Sequence, residues 1–304
     1  MIHLIAEISA AITTLKYHTD NMVLPMLRKT NRIKTLAGTL EIEGNYLGEE
    51  KIAAILDGKR VLGTMQELAE VEGAIKAYEK IEVYRYDELK DLLEAHKIMM
   101  HKVLNDAGSF RTVNVAVGSH IAPPHNQVST LMYQLFEWLG ESDEHLLIKS
   151  CVFHYEFEFI HPFRDGNGRI GRLWQSVILS TYNPLFGILP TESIVRDHQQ
   201  AYYNAIEQST TEGECTKFIE FMLERILEAI EKVGNIVGSR VGNLSDNQQK
   251  IIEIMKTNAK VSASKLSDEV GISKRKIEEN IAKLKKMGIV GRVGGTRGYW
   301  EVRQ

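Results

Sequence analysis

Cysteine is almost missing from this chain: Cys151 and Cys215 are the only two in 304 residues, and they lie far apart. That spacing excludes a disulfide framework and offers neither a zinc nor a redox pattern. A reducing cytoplasm is the expected setting, with both thiols buried. Long hydrophobic runs are absent as well. Met1 to Ile12 is apolar in places, but His3 and Glu7 interrupt it and no basic leader precedes it. Neither a signal peptide nor a membrane span is expected. Internal repeats and low-complexity tracts are lacking too. What is there is the composition of a soluble globular protein, 43% hydrophobic and 25% charged, long enough for two or three domains.

The net charge of −3 conceals a separation of sign. From Leu244 to Gln304 there are 13 Lys and Arg against 7 Asp and Glu, which leaves 24 against 33 in the first 243 residues. Apolar residues recur at helical spacing in Glu67–Glu79, Tyr86–Leu104, Val128–Leu139, Glu144–Phe159, Arg169–Tyr182 and Thr216–Val233. A mainly α fold follows. Gly234, Gly238, Ser239 and Gly242 dilute the pattern over Gly234 to Asn243, which reads as a linker. Beyond it the basic segment reads as a helix over Asn247–Thr257, a second over Ser264–Val270, a turn at Gly271-Ile272-Ser273 and a third helix to Met287. Strands at Gly288-Ile289-Val290 and Tyr299–Val302 join through Gly294-Gly295. This order resembles a winged helix-turn-helix domain. Ser273, Lys274, Arg275 and Lys276 would open its recognition helix, with Arg292 and Arg297 on the wing, so duplex DNA is one expected partner and docking of protein the other.

The densest chemistry lies in His161-Pro162-Phe163-Arg164-Asp165-Gly166-Asn167-Gly168-Arg169-Ile170-Gly171-Arg172. His161 titrates near neutrality and can take a proton from a hydroxyl. Asp165 offers hard oxygens suited to Mg²⁺ shared with a polyphosphate. Gly166 and Gly168 allow a tight turn into a helix whose unpaired N–H groups form an anion site. Arg169 and Arg172 share one face of that helix and carry guanidinium forks that match phosphate oxygens.

This run resembles the signature of the Fic family, His-x-Phe-x-Asp/Glu-Gly-Asn-Gly-Arg-x-x-Arg, at all eight specified positions. Most members transfer AMP from ATP to a protein hydroxyl. The resemblance implies that His161 is the base, Phe163 a core anchor and Asp165 the Mg²⁺ ligand. It implies further that Gly166, Asn167 and Gly168 hold phosphates, and that Arg169 and Arg172 meet the β/γ end of ATP. Thr39-Leu40-Glu41-Ile42-Glu43-Gly44-Asn45 is similar to the motif by which many Fic proteins restrain themselves. Glu43 would then pair with Arg172 and oppose productive ATP binding. Ser109 to Val117 alternates apolar and polar residues before Gly118 and Pro123-Pro124, the mark of a short β-hairpin. In the family such a hairpin is the flap on which the target protein docks, and Val117 to Ile121 are candidates to cover the adenine. Asp197 to Asn204 resembles the helix bordering the nucleoside, with Tyr203 as the stacking candidate. Some relatives carry an Asn seven residues further on, where this chain has Thr210.

Four segments are expected: a helical region over 1–85 with the inhibitory motif, a Fic domain over 86–233, the linker over 234–243, and the winged helix over 244–304. The expected activity is that of an autoinhibited protein adenylyltransferase using ATP and Mg²⁺. The same residues could instead remove AMP, or the core could serve as a nucleotide sensor for a DNA-binding regulator. Such a core is compatible with a homodimer, which no residue specifies.

Overall fold

The computed structural model describes residues 1–18, 24–117, 120–241, 245–286, 289–294 and 298–302. The chain divides into two compact units, one of Met1–Ala10 with Asn31–Ile230, the other of Ala11–Thr30 with Glu231–Gln304. Among the described residues, no helix is long and apolar enough to cross a membrane.

The larger unit is helical. Its core lies around α7 (Leu146–Ile160) and α8 (Asn167–Tyr182), the pair in most extensive contact. Twelve of the sixteen residues of α8 are buried, from Asn167 to Leu179 with one omission, Gly168. A helix buried all round must find partners for its polar side chains, because an unpaired charge there is costly. Helices α2 (Leu24–Ile42), α3 (Gly48–Leu56), α4 (Met65–Tyr78), α5 (Leu89–Met100) and α6 (His125–Glu141) contribute to the same core, as do Phe163 and Trp174. Thr64 and Glu67 form a capping box that fixes the start of α4. The chain then runs through a 3₁₀ turn (Pro184–Ile188), α9 (Thr191–Asp197), α10 (Gln199–Glu212) and α11 (Thr216–Val241). Residues 234–241, which read as linker, continue α11 as helix instead, since isolated glycines are tolerated within an otherwise strong amphipathic pattern. Cys151 is buried, whereas Cys215 is only partly covered, short of the full burial expected of it.

The hairpin expected near residue 115 is small. Strands β1 (Ala116–Val117) and β2 (His120–Ile121) pair antiparallel, Ala116 opposite Ile121 and Val117 opposite His120. Gly118 and Ser119 lie outside the described residues.

In the smaller unit, α12 (Asp246–Thr257), α13 (Ala263–Val270) and α14 (Lys274–Lys286) enclose a core of Ile251, Ile252, Leu266, Ile277 and Leu284. Strands β3 (Val290–Val293) and β4 (Tyr299–Val302) complete a winged helix, with Trp300 donating its indole N–H to the Val261 carbonyl. Gly271, at φ +79°, makes the tight turn between α13 and α14. Lys274, Arg275 and Lys276 open α14 on its exposed side, as expected. The Arg292 guanidinium, by contrast, packs over the Trp300 ring at 4.5 Å, and Arg297 is outside the described residues.

Candidate active site

The site is a loop strung between the end of α7 and the start of α8. His161 ends α7 in the left-handed conformation, φ +50°, the one non-glycine residue with positive φ among those described. Its N–H donates to the Phe157 carbonyl at 2.9 Å, which closes the helix. Gly166, at φ +82°, reverses the chain into α8, and a Cβ there would press on Met100 Sδ at 2.9 Å. Asn167 staples the loop: its side chain accepts from the Phe163 N–H at 2.8 Å and donates to the Phe163 carbonyl at 2.9 Å. Phe163 is buried and stacks on His96 at 3.7 Å.

His96 was not legible as part of the site. The Gly108 N–H donates to its Nδ1 at 2.8 Å, so Nε2 carries the proton and donates to the Asp165 carbonyl at 3.0 Å. Burial pushes its imidazole down to about 4, which keeps it neutral and suited to holding that loop.

Asp165 accepts from the Gly166 N–H at 2.5 Å and from Arg169 at 3.1 Å through one oxygen, while its side chain stays 48% exposed. Among the described residues no group of three or more His, Cys, Asp or Glu could hold a metal ion. A cation at Asp165 would therefore share oxygens supplied by a substrate, and an accessible single carboxylate fits that arrangement. Arg169 is buried and also meets Glu70 at 3.5 Å, and Glu70 in turn accepts from Asn45 at 2.8 Å.

Arg172 has a different set of partners. Its Nε donates to Thr39 Oγ1 at 3.1 Å, and Nη2 donates to the Thr39 carbonyl at 3.1 Å and to Glu43 Oε1 at 2.7 Å. Burial opposes its charge most, but Glu43, Tyr202 and Glu158 together hold the guanidinium above its ordinary pKa. Gly168 makes room for the pair, since a Cβ there would lie 2.3 Å from Glu43 Oε1. The structure thus places Glu43, Gly168 and Arg172 side by side.

Glu158 is a second carboxylate that sequence reading passed over. It is 12% exposed, with one oxygen 4.0 Å from His161 Nδ1 and the other where a Cβ on Gly171 would come within 2.7 Å. Burial raises its carboxyl to about 7, with Arg172 opposing and Glu43 adding to the shift. The available signal was a carboxylate three residues before His161 within the otherwise aromatic and aliphatic Phe157–Ile160. Tyr203, the stacking candidate, is 45% exposed, and its neighbour Tyr202 is buried with its hydroxyl 2.8 Å from His154 Nε2. Thr210 meets the Tyr155 hydroxyl at 3.2 Å. Ile121 is 80% exposed on β2.

The model of the Fic/DOC family matches residues 86–179. A solved structure of a Fic family protein from Desulfovibrio desulfuricans G20 superposes with a TM-score of 0.74 and 34% identity, over 99% of this chain and 95% of that one. The chain belongs to the Fic/DOC family. A protein adenylyltransferase Fic from Aedes aegypti is 30% identical over 218 residues, 67% of this chain and 42% of that protein. The Fic chain described here thus spans about two fifths of the length of that curated relative. The structure of Fic-1 (residues 134–508) from C. elegans shares the fold, with a TM-score of 0.65 and 20% identity over 78% of this chain and 74% of that one. A winged helix-turn-helix DNA-binding model matches residues 244–290, outside the Fic match.

Proposed function

We propose that this Fic protein is an autoinhibited adenylyltransferase, which moves AMP from ATP to a Ser, Thr or Tyr hydroxyl of a protein and releases pyrophosphate. The observation that carries the reading is the 2.7 Å pair of Glu43 with Arg172 beside Gly168. In the active state Arg172 turns its guanidinium to the γ-phosphate, Arg169 to the neighbouring phosphate, and the N–H groups after Gly166 line the phosphate path. His161 accepts the proton of the incoming hydroxyl. The hydroxyl oxygen bonds to the α-phosphorus as the bond to the β-phosphate oxygen breaks, and pyrophosphate leaves. Mg²⁺ on Asp165 would neutralise phosphate charge when bound. Tyr203 borders the adenine, and the target segment pairs along the flap edge beside Ile121. With Glu43 in place, ATP loses one phosphate partner and meets a carboxylate instead.

Intact-mass measurement with each nucleoside triphosphate tests this. Glu43→Gly should raise self-modification by one adenylate with ATP, and adding His161→Ala should abolish it. A Glu43→Gly chain that adds no adenylate to itself or to any protein of a lysate would sink the reading. Release of AMP from a pre-adenylylated protein would show the alternative activity, in which water, not pyrophosphate, takes the adenylate off. For the winged helix, duplex DNA is the proposed partner, on the strength of its basic excess and the exposed start of α14.

A further inference from the structure

Arg111 is 3% exposed, and among the described residues no carboxylate forms an ion pair with it. Carbonyl oxygens satisfy it instead. Nε donates to His161 O at 2.8 Å, and Nη2 donates to Ile160 O at 3.3 Å. Its backbone N–H donates to Pro162 O at 2.9 Å. Three consecutive carbonyls therefore converge on one residue, and they flank the left-handed turn at His161. That turn leaves the last carbonyls of α7 without helical donors, at the negative end of the helix dipole. A buried guanidinium answers both needs. The other side of the fork grips the hairpin: Nη1 donates to Val113 O at 2.8 Å and Nη2 to Pro123 O at 2.5 Å. Val113 precedes β1 and Pro123 follows β2, so the two roots of the flap share one anchor.

We propose that Arg111 is a positioning residue that locks the backbone of His161 to both roots of the flap, so that the base and the target-docking edge keep a single relative geometry. The inference rests on the adenylyltransferase reading for its consequence, though not for the coupling itself. A lysine cannot replace it, because one ammonium cannot reach carbonyl acceptors on both segments at once. Holding a nucleophile's proton acceptor and its docking edge in register is worth much of the rate, since a displacement near 1 Å can cost about a hundredfold.

The test uses the full chain carrying Glu43→Gly, with Arg111→Lys and Arg111→Gln added separately. Arg111→Lys should slow self-adenylylation at least about tenfold. ATP affinity, measured in the non-transferring His161→Ala background, should not change, because the phosphate residues 165–172 keep their partners. Amide hydrogen exchange should speed up together in peptides containing Val113, Pro123 and residues 160–163, and stay unchanged in α4. A merely structural role would raise exchange in α4 as well, and either that or a rise in only one of the two segments overturns the proposal. Full transfer activity in Arg111→Lys overturns it too. If the parent makes no adenylate, the adenylyltransferase reading fails, while the exchange arm, which needs no nucleotide, still decides the coupling.

Discussion

Glu158 shows how burial changes what a residue can do. On a surface helix a carboxylate in its place would be solvated and unremarkable, but α7 is covered on nearly all sides and leaves this one between His161 and Arg172. The signature from His161 to Arg172 was legible because its chemistry is local and its spacing is set by one turn and one helix. Glu158, His96 and Arg111 were not, since their roles depend on a helix, a loop and a hairpin brought together from distant positions. The raised carboxyl has a measurable consequence. Between its ordinary value of 4.5 and the folded value of about 7, the folded chain holds a proton that the unfolded chain releases. Stability therefore falls as pH rises through that window, by at most about 3 kcal/mol, and the loss is complete above pH 7. Glu158→Gln should remove the dependence, so its urea midpoint should gain on the parent as pH goes from 5 to 8. Parallel midpoints across that range would show that the carboxyl titrates normally.

The element that sets the resting state is α2, and its placement depends on close packing as much as on charge. Three contacts hold its final turns: Arg196 donates to Glu41 at 2.9 Å, Gln199 donates to the Ile42 carbonyl at 3.2 Å, and Gly38 lies against the first turn of α9. A Cβ at Gly38 would stand 2.6 Å from the Ser193 nitrogen, a backbone atom that cannot swing aside. Gly38→Ala should thus push α2 outward at a cost of about 1–3 kcal/mol. Glu43 would then lose its reach to Arg172, and self-adenylylation should rise without any change to Glu43 itself. The rise should be absent when Glu43→Gly is already present, because both substitutions release the same contact. Additive increases would mean that Gly38 acts elsewhere. Helices α4 to α8 were readable from their apolar periods, and their ends moved by at most four residues. Helix α2 was readable only through the motif at its end, because its own sequence, rich in Thr, Lys and Arg, carries a weak apolar stripe. The glycines of 234–241 do not end α11 for a related reason: glycine lowers helix propensity, but Val233 and Ile236 sustain the apolar period into it.

For the molecule as a whole, a net charge of −3 gives no general attraction to nucleic acid, so any affinity for DNA must come from local cations on the basic unit. Lys274 and Arg275 are the test positions. Both are exposed at the start of α14, and Arg275, 88% exposed, pairs with Glu279 at 3.1 Å, a surface pair that a phosphate can displace. The full chain should bind a mixed-sequence duplex with an affinity that falls steeply as salt rises. Lys274→Gln and Arg275→Gln should each weaken binding and reduce the slope of log affinity against log salt by about 1, the signature of one lost phosphate contact. Neither should alter self-adenylylation of the Glu43→Gly chain, since both lie outside residues 86–179, the Fic match. Binding with no salt dependence, or a slope unchanged by both substitutions, would assign the basic surface of α14 to solvent or to a protein partner. A change in adenylylation on adding the duplex would instead reveal that the two units communicate, with the substituted chains losing the response in step with their loss of DNA affinity.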